Sequence, residues 1–403
     1  MATITIKNVG PIKSAENLEL KKVNVFMGPQ SSGKSTIAKI ISFCTWVEKR
    51  LMLDGFFREN FLERLKTFHN FEDAYFPLDA FIRYESTYCV IAFSKKKKPN
   101  VEIFVKTGDM LFENRKNIFI PAERNFAASI PNLGRYKEAN NNVMSFLYDW
   151  YEAKKYYPKS NMINIPALGV AFYNVENEDK DVVVIDNEKE IILQNASSGI
   201  QSTLPLYILL DYMNKILYEK EIILSPFEKE KIKEMSKPVM ESELQKMTEP
   251  IVESKYQEIK EFFINKFIHS REYHFSQFIV EEPEQNLFPS TQRDLVYHLL
   301  QLITGERDHR LVITTHSPYI LYALNNCMMA GLVFNKMDEE DKANIACKAS
   351  LINPKDVSIF QIDDGFLKNI QQEDGLIGGN FFDEKMKEIM DDYYTLLKYY
   401  DEE

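Results

Sequence analysis

One short run constrains the fold more than any other feature: Gly28-Pro29-Gln30-Ser31-Ser32-Gly33-Lys34-Ser35, followed by Thr36. Before it, residues 17–27 (NLELKKVNVFM) are rich in apolar and β-branched residues and predict a strand. After it, TIAKIISFCTWVEKRL places apolar residues three and four apart with no Gly or Pro, so a helix is predicted to open where the glycine turn ends. A strand, a GxxxxGK[ST] loop and a helix form a phosphate cradle. In such a cradle successive backbone N–H groups curl around phosphate oxygens and the helix N-terminus adds positive potential. The expected ligand is therefore ATP, held by residues 28–36, with Lys34 reaching its β and γ phosphates and Ser35 ligating Mg²⁺.

The rest of the chain alternates. Residues 2–7, 88–94, 101–106 and 117–121 read as strands, with KKKKPN joining the second and third as a hairpin, so an antiparallel part is predicted. Residues 55–80 are aromatic-rich and fit neither period. A mostly helical stretch runs through Tyr157, followed by the strand pair VVVID and EIIL, then NASSGIQS and a long apolar helix. Residues 226–270 carry Lys and Glu at helical spacing with few large apolar residues, which predicts a solvated helical protrusion. Strands at 275–280 and 311–315, a helix at 290–304, the run VSIFQID and a helix from about residue 383 restore α/β alternation. This predicts a nucleotide-binding core from residues 1–125 and 275–403. Residues 126–274 would form a helical lobe bearing a loop at about 194–202 and the protrusion.

Charge and cysteine usage exclude several classes. Lys+Arg 49 against Asp+Glu 60 leaves a net charge of −11, which disfavours a body-wide grip on nucleic acid and confines any DNA contact to a local patch. Cys44, Cys89, Cys327 and Cys347 show no metal-binding spacing, and there is no apolar signal core or run of 18 apolar residues. A cytoplasmic, non-membrane protein without structural zinc is expected. Lys95–Lys98 form the clearest basic cluster, read either as a phosphate-backbone contact or as a solvated turn protecting a sheet edge.

Two further segments carry acid–base chemistry. Phe278-Ile-Val-Glu281-Glu282-Pro-Glu284 is an apolar strand delivering acids at its carboxyl end. Glu281 is expected in the Mg²⁺ shell, and Glu282, one residue on, is expected to orient or deprotonate the attacking water. Leu311-Val-Ile-Thr-Thr-His316-Ser-Pro ends a strand in an imidazole suited to the γ-phosphate or that water, the other reading being a structural histidine.

The order of phosphate loop, Ser-Ser-Gly loop, acidic strand end and histidine resembles ABC-type ATPases. EEPEQNLFP and THSP resemble the ATPase of the OLD family and related stand-alone anti-phage ATPases, including the ATPase subunit of PARIS systems. The implied fold is an α/β, ABC-type P-loop NTPase with an antiparallel β subdomain and a helical lobe. Ser198, Gly199 and Gln201 would be the signature, acting on ATP held by the opposite subunit of a head-to-tail homodimer or higher oligomer. The implied role is a regulatory ATPase of bacterial antiviral defence that controls a separately encoded nuclease or toxin effector and is triggered by a phage protein or DNA. Three residue patterns depart from the resemblance: Glu281 stands for the usual aspartate, Ile200 interrupts the signature, and only about 80 residues follow His316-Ser-Pro, too few for a Toprim nuclease domain. Arg124, in Ile120-Pro-Ala-Glu-Arg-Asn, lies where ABC ATPases place the Q-loop and is read as a phosphate or inter-subunit contact or, equally, as a structural salt bridge. Asn8 and Lys13 lie near the adenine-side loop of such ATPases. A repair or chromosome-maintenance ATPase of the SMC and RecF type, a nucleotide-gated scaffold with little turnover, and a transporter ATPase are the alternatives; long heptad arms, the mark of the first, are missing from the sequence.

Overall fold

The computed structural model describes residues 2–96, 99–106, 112–129, 141–175, 178, 180–186, 188–219, 261, 265 and 271–400. Strands β1 (Ala2–Val9) and β2 (Ile12–Leu20) pair antiparallel, and β3 (Val23–Met27) leads through the glycine loop into helix α1 (Lys34–Asp54). Helix α2 (Phe61–His69) starts at Asn60, whose side chain accepts from the Glu63 N–H. Strands β4 (Phe81–Glu85), β5 (Cys89–Ser94) and β6 (Asn100–Val105) extend the first hairpin into an antiparallel sheet. The β5–β6 hairpin falls where its sequence pattern put it. Lys97 and Lys98 of the basic cluster lie outside the described residues.

Strand β7 (Arg115–Ile120) is followed by α3 (Phe126–Ser129), α4 (Asn142–Lys154), β8 (Ile163–Ile165), β9 (Val170–Val175), β10 (Lys180–Ile185), β11 (Lys189–Ile192) and α5 (Ser198–Asp211). The chain then runs through β12 (Phe275–Glu281), α6 (Pro289–Ile303), β13 (Arg310–Thr315), α7 (Pro318–Val333), α8 (Glu339–Asn344), β14 (Val357–Asp363), β15 (Phe366–Asn369) and α9 (Phe381–Leu397). Among the described residues, no helix is long and apolar enough to cross a membrane.

One sheet has the order β6-β5-β4-β1-β2-β15-β14-β3-β13-β12-β7. Its β14-β3-β13-β12-β7 portion is parallel, and its β1, β2, β4, β5 and β6 portion is antiparallel. The chain is thus an α/β P-loop fold with an antiparallel β subdomain. Every residue of β3 and β12 is buried, which explains their unbroken apolar runs: both faces of the parallel portion are covered. Alternation along these strands sends Val25, Val280 and Ile313 into the core shared with α4–α7, and Phe26, Ile279 and Val312 into the core shared with α1 and α2. Each such side chain contributes about 1.5–3 kcal/mol by leaving water. A charged pair sits below the second core, where the Arg115 guanidinium of β7 bonds the Glu48 carboxylate of α1 and the Tyr84 hydroxyl donates to the same carboxylate.

The lobe carries strands beside helices α3–α5. It holds a separate antiparallel sheet, β11-β10-β9-β8, of which sequence pattern indicated only the β10–β11 pair. Strand β8 is three residues long and is divided from β9 by a Pro166–Leu168 turn, too short for either period to register. The protrusion expected at 226–270 lies outside the described residues apart from 261 and 265.

Candidate active site

Parallel strands deliver their loops to one edge of the sheet, and ligands of open α/β sheets bind there. After Met27 the chain turns through Gly28 at φ +155°, Ser31 at φ +60° and Gly33 at φ +106°. The dihedral at Gly33 demands glycine, and a Cβ there would also displace the Ile12 side chain, whose Cδ1 would lie 2.4 Å away. Helix α1 starts at Lys34 without a side-chain cap, which leaves its first-turn N–H groups free for an anion. Lys34 is buried and folds across the loop, donating to Gly28 O at 2.9 Å and Pro29 O at 2.7 Å. Burial pushes its pKa down to about 8, against the pull of Glu282 and Glu284. Phosphate-loop residues, Glu282 and His316 together line an open cleft of about 330 Å³.

The strand-end acids occupy different environments. Glu281 is 3% exposed and its Oε1 has no hydrogen-bond partner. Burial raises its pKa, while Lys39, the Ser35 hydroxyl and the Ala122 N–H favour the charged form. A buried oxygen without a partner beside a serine hydroxyl fits a hard divalent cation, so Ser35 and Glu281 are the residues that would hold Mg²⁺. Glu282 instead faces the cleft. Its Oε1 accepts from His316 Nε2 at 2.8 Å and its Oε2 from Gln285 Nε2 at 3.0 Å. The bond to His316 is the main cause holding its carboxyl down at about 2. His316 Nδ1 lies 3.2 Å from Gly28 O, so the ring bridges the acid and the start of the phosphate loop. Both ring nitrogens face acceptors, and only the imidazolium donates to both at once.

Other residues separate into placements that the sequence did and did not indicate. Glu284 is half-buried and accepts from Thr315 Oγ1 at 2.9 Å and from the His316 N–H at 2.6 Å, fixing the turn that presents the imidazole. Its signal was only its place in the EEPE run. Pro11 and Tyr75 line the cleft, whereas Asn8 bonds Asp79 and Lys13 pairs with Asp364. Tyr75 lies in the aromatic stretch that fits neither period, and nothing in its spacing marks it.

Ser198 is the exposed first residue of α5. Gln201 braces its own loop, its Nε2 donating to Gln194 O at 2.8 Å and Ala196 O at 2.9 Å. Neither Ser198, Gly199 nor Gln201 lines the phosphate-loop cleft of its own chain. Arg124 is wholly buried, with its guanidinium among backbone carbonyls. Its hydrogen-bond partners are carbonyl oxygens, where the salt-bridge reading expected a carboxylate.

No protein-family description and no curated sequence matches this chain. Among solved structures, it is similar to an SMC head domain from Thermotoga maritima at 12% identity and a TM-score of 0.39, covering 92% of this chain and 98% of that one. The recombination mediator protein RecF with ATP aligns at 12% identity and a TM-score of 0.30, over 91% and 98%. The ATP-binding cassette MJ0796, a dimer bound to ADP and phosphate, aligns at 11% identity and a TM-score of 0.28, over 92% and 99%.

Proposed function

We propose that this chain is an ABC-type ATPase that binds Mg–ATP in the phosphate-loop cleft and hydrolyses it to ADP and phosphate. The observation that carries the reading is the convergence of Lys34, Glu282 and His316 on one cleft at the start of α1. In this reading the loop N–H groups and Lys34 bind the β and γ phosphates, and Ser35 with Glu281 holds Mg²⁺. The cation neutralises phosphate charge when bound. The Glu282 carboxylate orients a water and takes its proton, while His316, bonded to Glu282 and to Gly28 O, keeps that carboxylate ionised and beside the phosphate loop. Ser198, exposed and outside its own chain's cleft, completes the site of a head-to-tail partner.

The finer reading is a sensor subunit of bacterial anti-phage defence that controls a separate effector. Its support is the resemblance of EEPEQNLFP and THSP, so it is tested by phage challenge of cells carrying the gene with and without its neighbours. The ATPase reading is tested by phosphate release: Mg²⁺-dependent turnover that Lys34→Ala and Glu282→Gln abolish supports it, and an absence of turnover at any subunit concentration refutes it.

A further inference from the structure

Arginine presents five N–H groups in a rigid fork, and in Arg124 all five are used. Its Nε donates to Ser202 O at 2.8 Å; Nη1 donates to Glu281 O at 2.8 Å and Pro121 O at 3.4 Å; Nη2 donates to Glu282 O at 2.8 Å and Pro283 O at 3.3 Å. The fork therefore joins two bodies. On one side are the carbonyls of the strand end that carries Glu281 and Glu282, and on the other is Ser202, one turn along α5 from its exposed first residue, Ser198.

Two more contacts reinforce this junction. The Ser202 hydroxyl lies 3.1 Å from Gln285 O, and a Cβ on Gly199 would come within 2.7 Å of Asn286 O. The loop so gripped is strained, since Glu282 has φ +44° and Asn286 φ +58°, in the left-handed region that favours glycine. The carbonyl of Glu282 and those on either side of it are bonded to Arg124, so the guanidinium holds the left-handed turn that aims the Glu282 carboxylate at His316.

We propose that Arg124 is a positioning residue that makes hydrolysis conditional on pairing: when a partner subunit's nucleotide docks on Ser198, the shift of α5 passes through the guanidinium to the backbone of Glu282 and sets its carboxylate on the water. This rests on the paired ATPase reading above and adds a cis route from signature to acid. A lysine keeps the charge but is a point donor of three N–H groups, so it cannot span both bodies.

The test compares wild type, Arg124→Lys and Gly199→Ala, each as the full chain. ATP affinity is measured by titration, pairing by sedimentation with ATP in a Glu282→Gln background, and turnover per subunit across subunit concentrations. In the wild type, turnover rises as pairs form. In Arg124→Lys, ATP affinity and pairing stay within about twofold while that rise shrinks at least about tenfold in kcat with KM held. A purely structural arginine would lower the melting temperature and leave the rise intact. Gly199→Ala, which forces α5 against Asn286 with Arg124 in place, shows the same loss; with ATP affinity and pairing held, that loss is separated from damage to the signature contact and decides the matter if Arg124→Lys does not fold. A folded, paired Arg124→Lys or Gly199→Ala protein with wild-type concentration dependence overturns the coupling. A wild type without turnover overturns the ATPase reading instead.

Discussion

Replacing Glu282 by glutamine separates chemistry from architecture at this site. The carboxylate accepts from His316 Nε2 on one oxygen and from Gln285 Nε2 on the other. An amide can match both neighbours: its oxygen accepts from Gln285, and its NH₂ faces His316, whose Nε2 becomes an acceptor in the neutral tautomer that still donates from Nδ1 to Gly28 O. No buried polar atom is orphaned by the exchange. The lost attraction belongs to a pair whose side chains are 28% and 26% exposed, so the stability change lies between about 1 kcal/mol, the worth of an exposed pair, and the roughly 3 kcal/mol that a carboxyl held down at about 2 implies. What the amide cannot do is take a proton from water. General base assistance contributes about 10²–10⁴-fold, or roughly 3–5 kcal/mol of barrier. Steady-state phosphate release falls by that factor, while ATP affinity measured by titration holds and ATP-bound pairs accumulate in sedimentation. The folded pKa of Glu282 is depressed to about 2, so its ion-pair contribution is present above the unfolded value and lost only as pH falls through about 2. The melting-temperature difference between wild type and Glu282→Gln due to this carboxyl therefore shrinks in acid, read from melting curves at descending pH. Turnover within about threefold of wild type would refute the base assignment and move it to another acid.

Lys34→Ala removes the compact cation of the loop and weakens ATP binding by about 10–100-fold, read by equilibrium titration. Because burial lowers the Lys34 pKa to about 8, wild-type affinity also declines as pH rises through that value and the ammonium loses its proton. His316→Ala lowers kcat more than it raises KM, and it shifts the acid limb of the pH–rate profile upward because Glu282 loses the main partner that depresses its pKa; an unmoved limb would count against the pair. Ser198→Arg leaves ATP binding intact and stops hydrolysis, and mixing it with Lys34→Ala restores part of the turnover if the serine works across the subunit interface. Wild-type hydrolysis by Ser198→Arg alone would remove the signature assignment.

Features that are local in the chain were legible from sequence. The phosphate loop is contiguous and flanked by a strand and a helix of unambiguous period, and β12 and β13 announce themselves as apolar runs ending in acids and in histidine. What sequence concealed are relations made through backbone atoms. Arg124 bonds carbonyls of residues 78 and 157 positions away, and a carbonyl has no side-chain identity to leave a trace in sequence. Glu284 is similar, since one of its partners is the His316 N–H. Strand β8 was lost for a different reason: three residues beside a proline turn give periodicity nothing to act on.

The position of β3 also bears on how the protein is made. Its neighbours in the sheet are β13 and β14, with Val23 beside Leu311 and Val357. At a synthesis rate of about 5–20 residues per second, the interval between Val23 and these partners is roughly 15–60 s. Throughout that interval a nascent chain displays an apolar strand without its flanking hydrogen bonds, a state that invites chaperone capture. The glycine loop emerges early, but the sheet edge that orients it forms last. A product terminated before Val357 therefore contains the whole phosphate-loop sequence and yet lacks β14, one of the two strands that flank β3, so nucleotide binding reports whether synthesis has passed that strand.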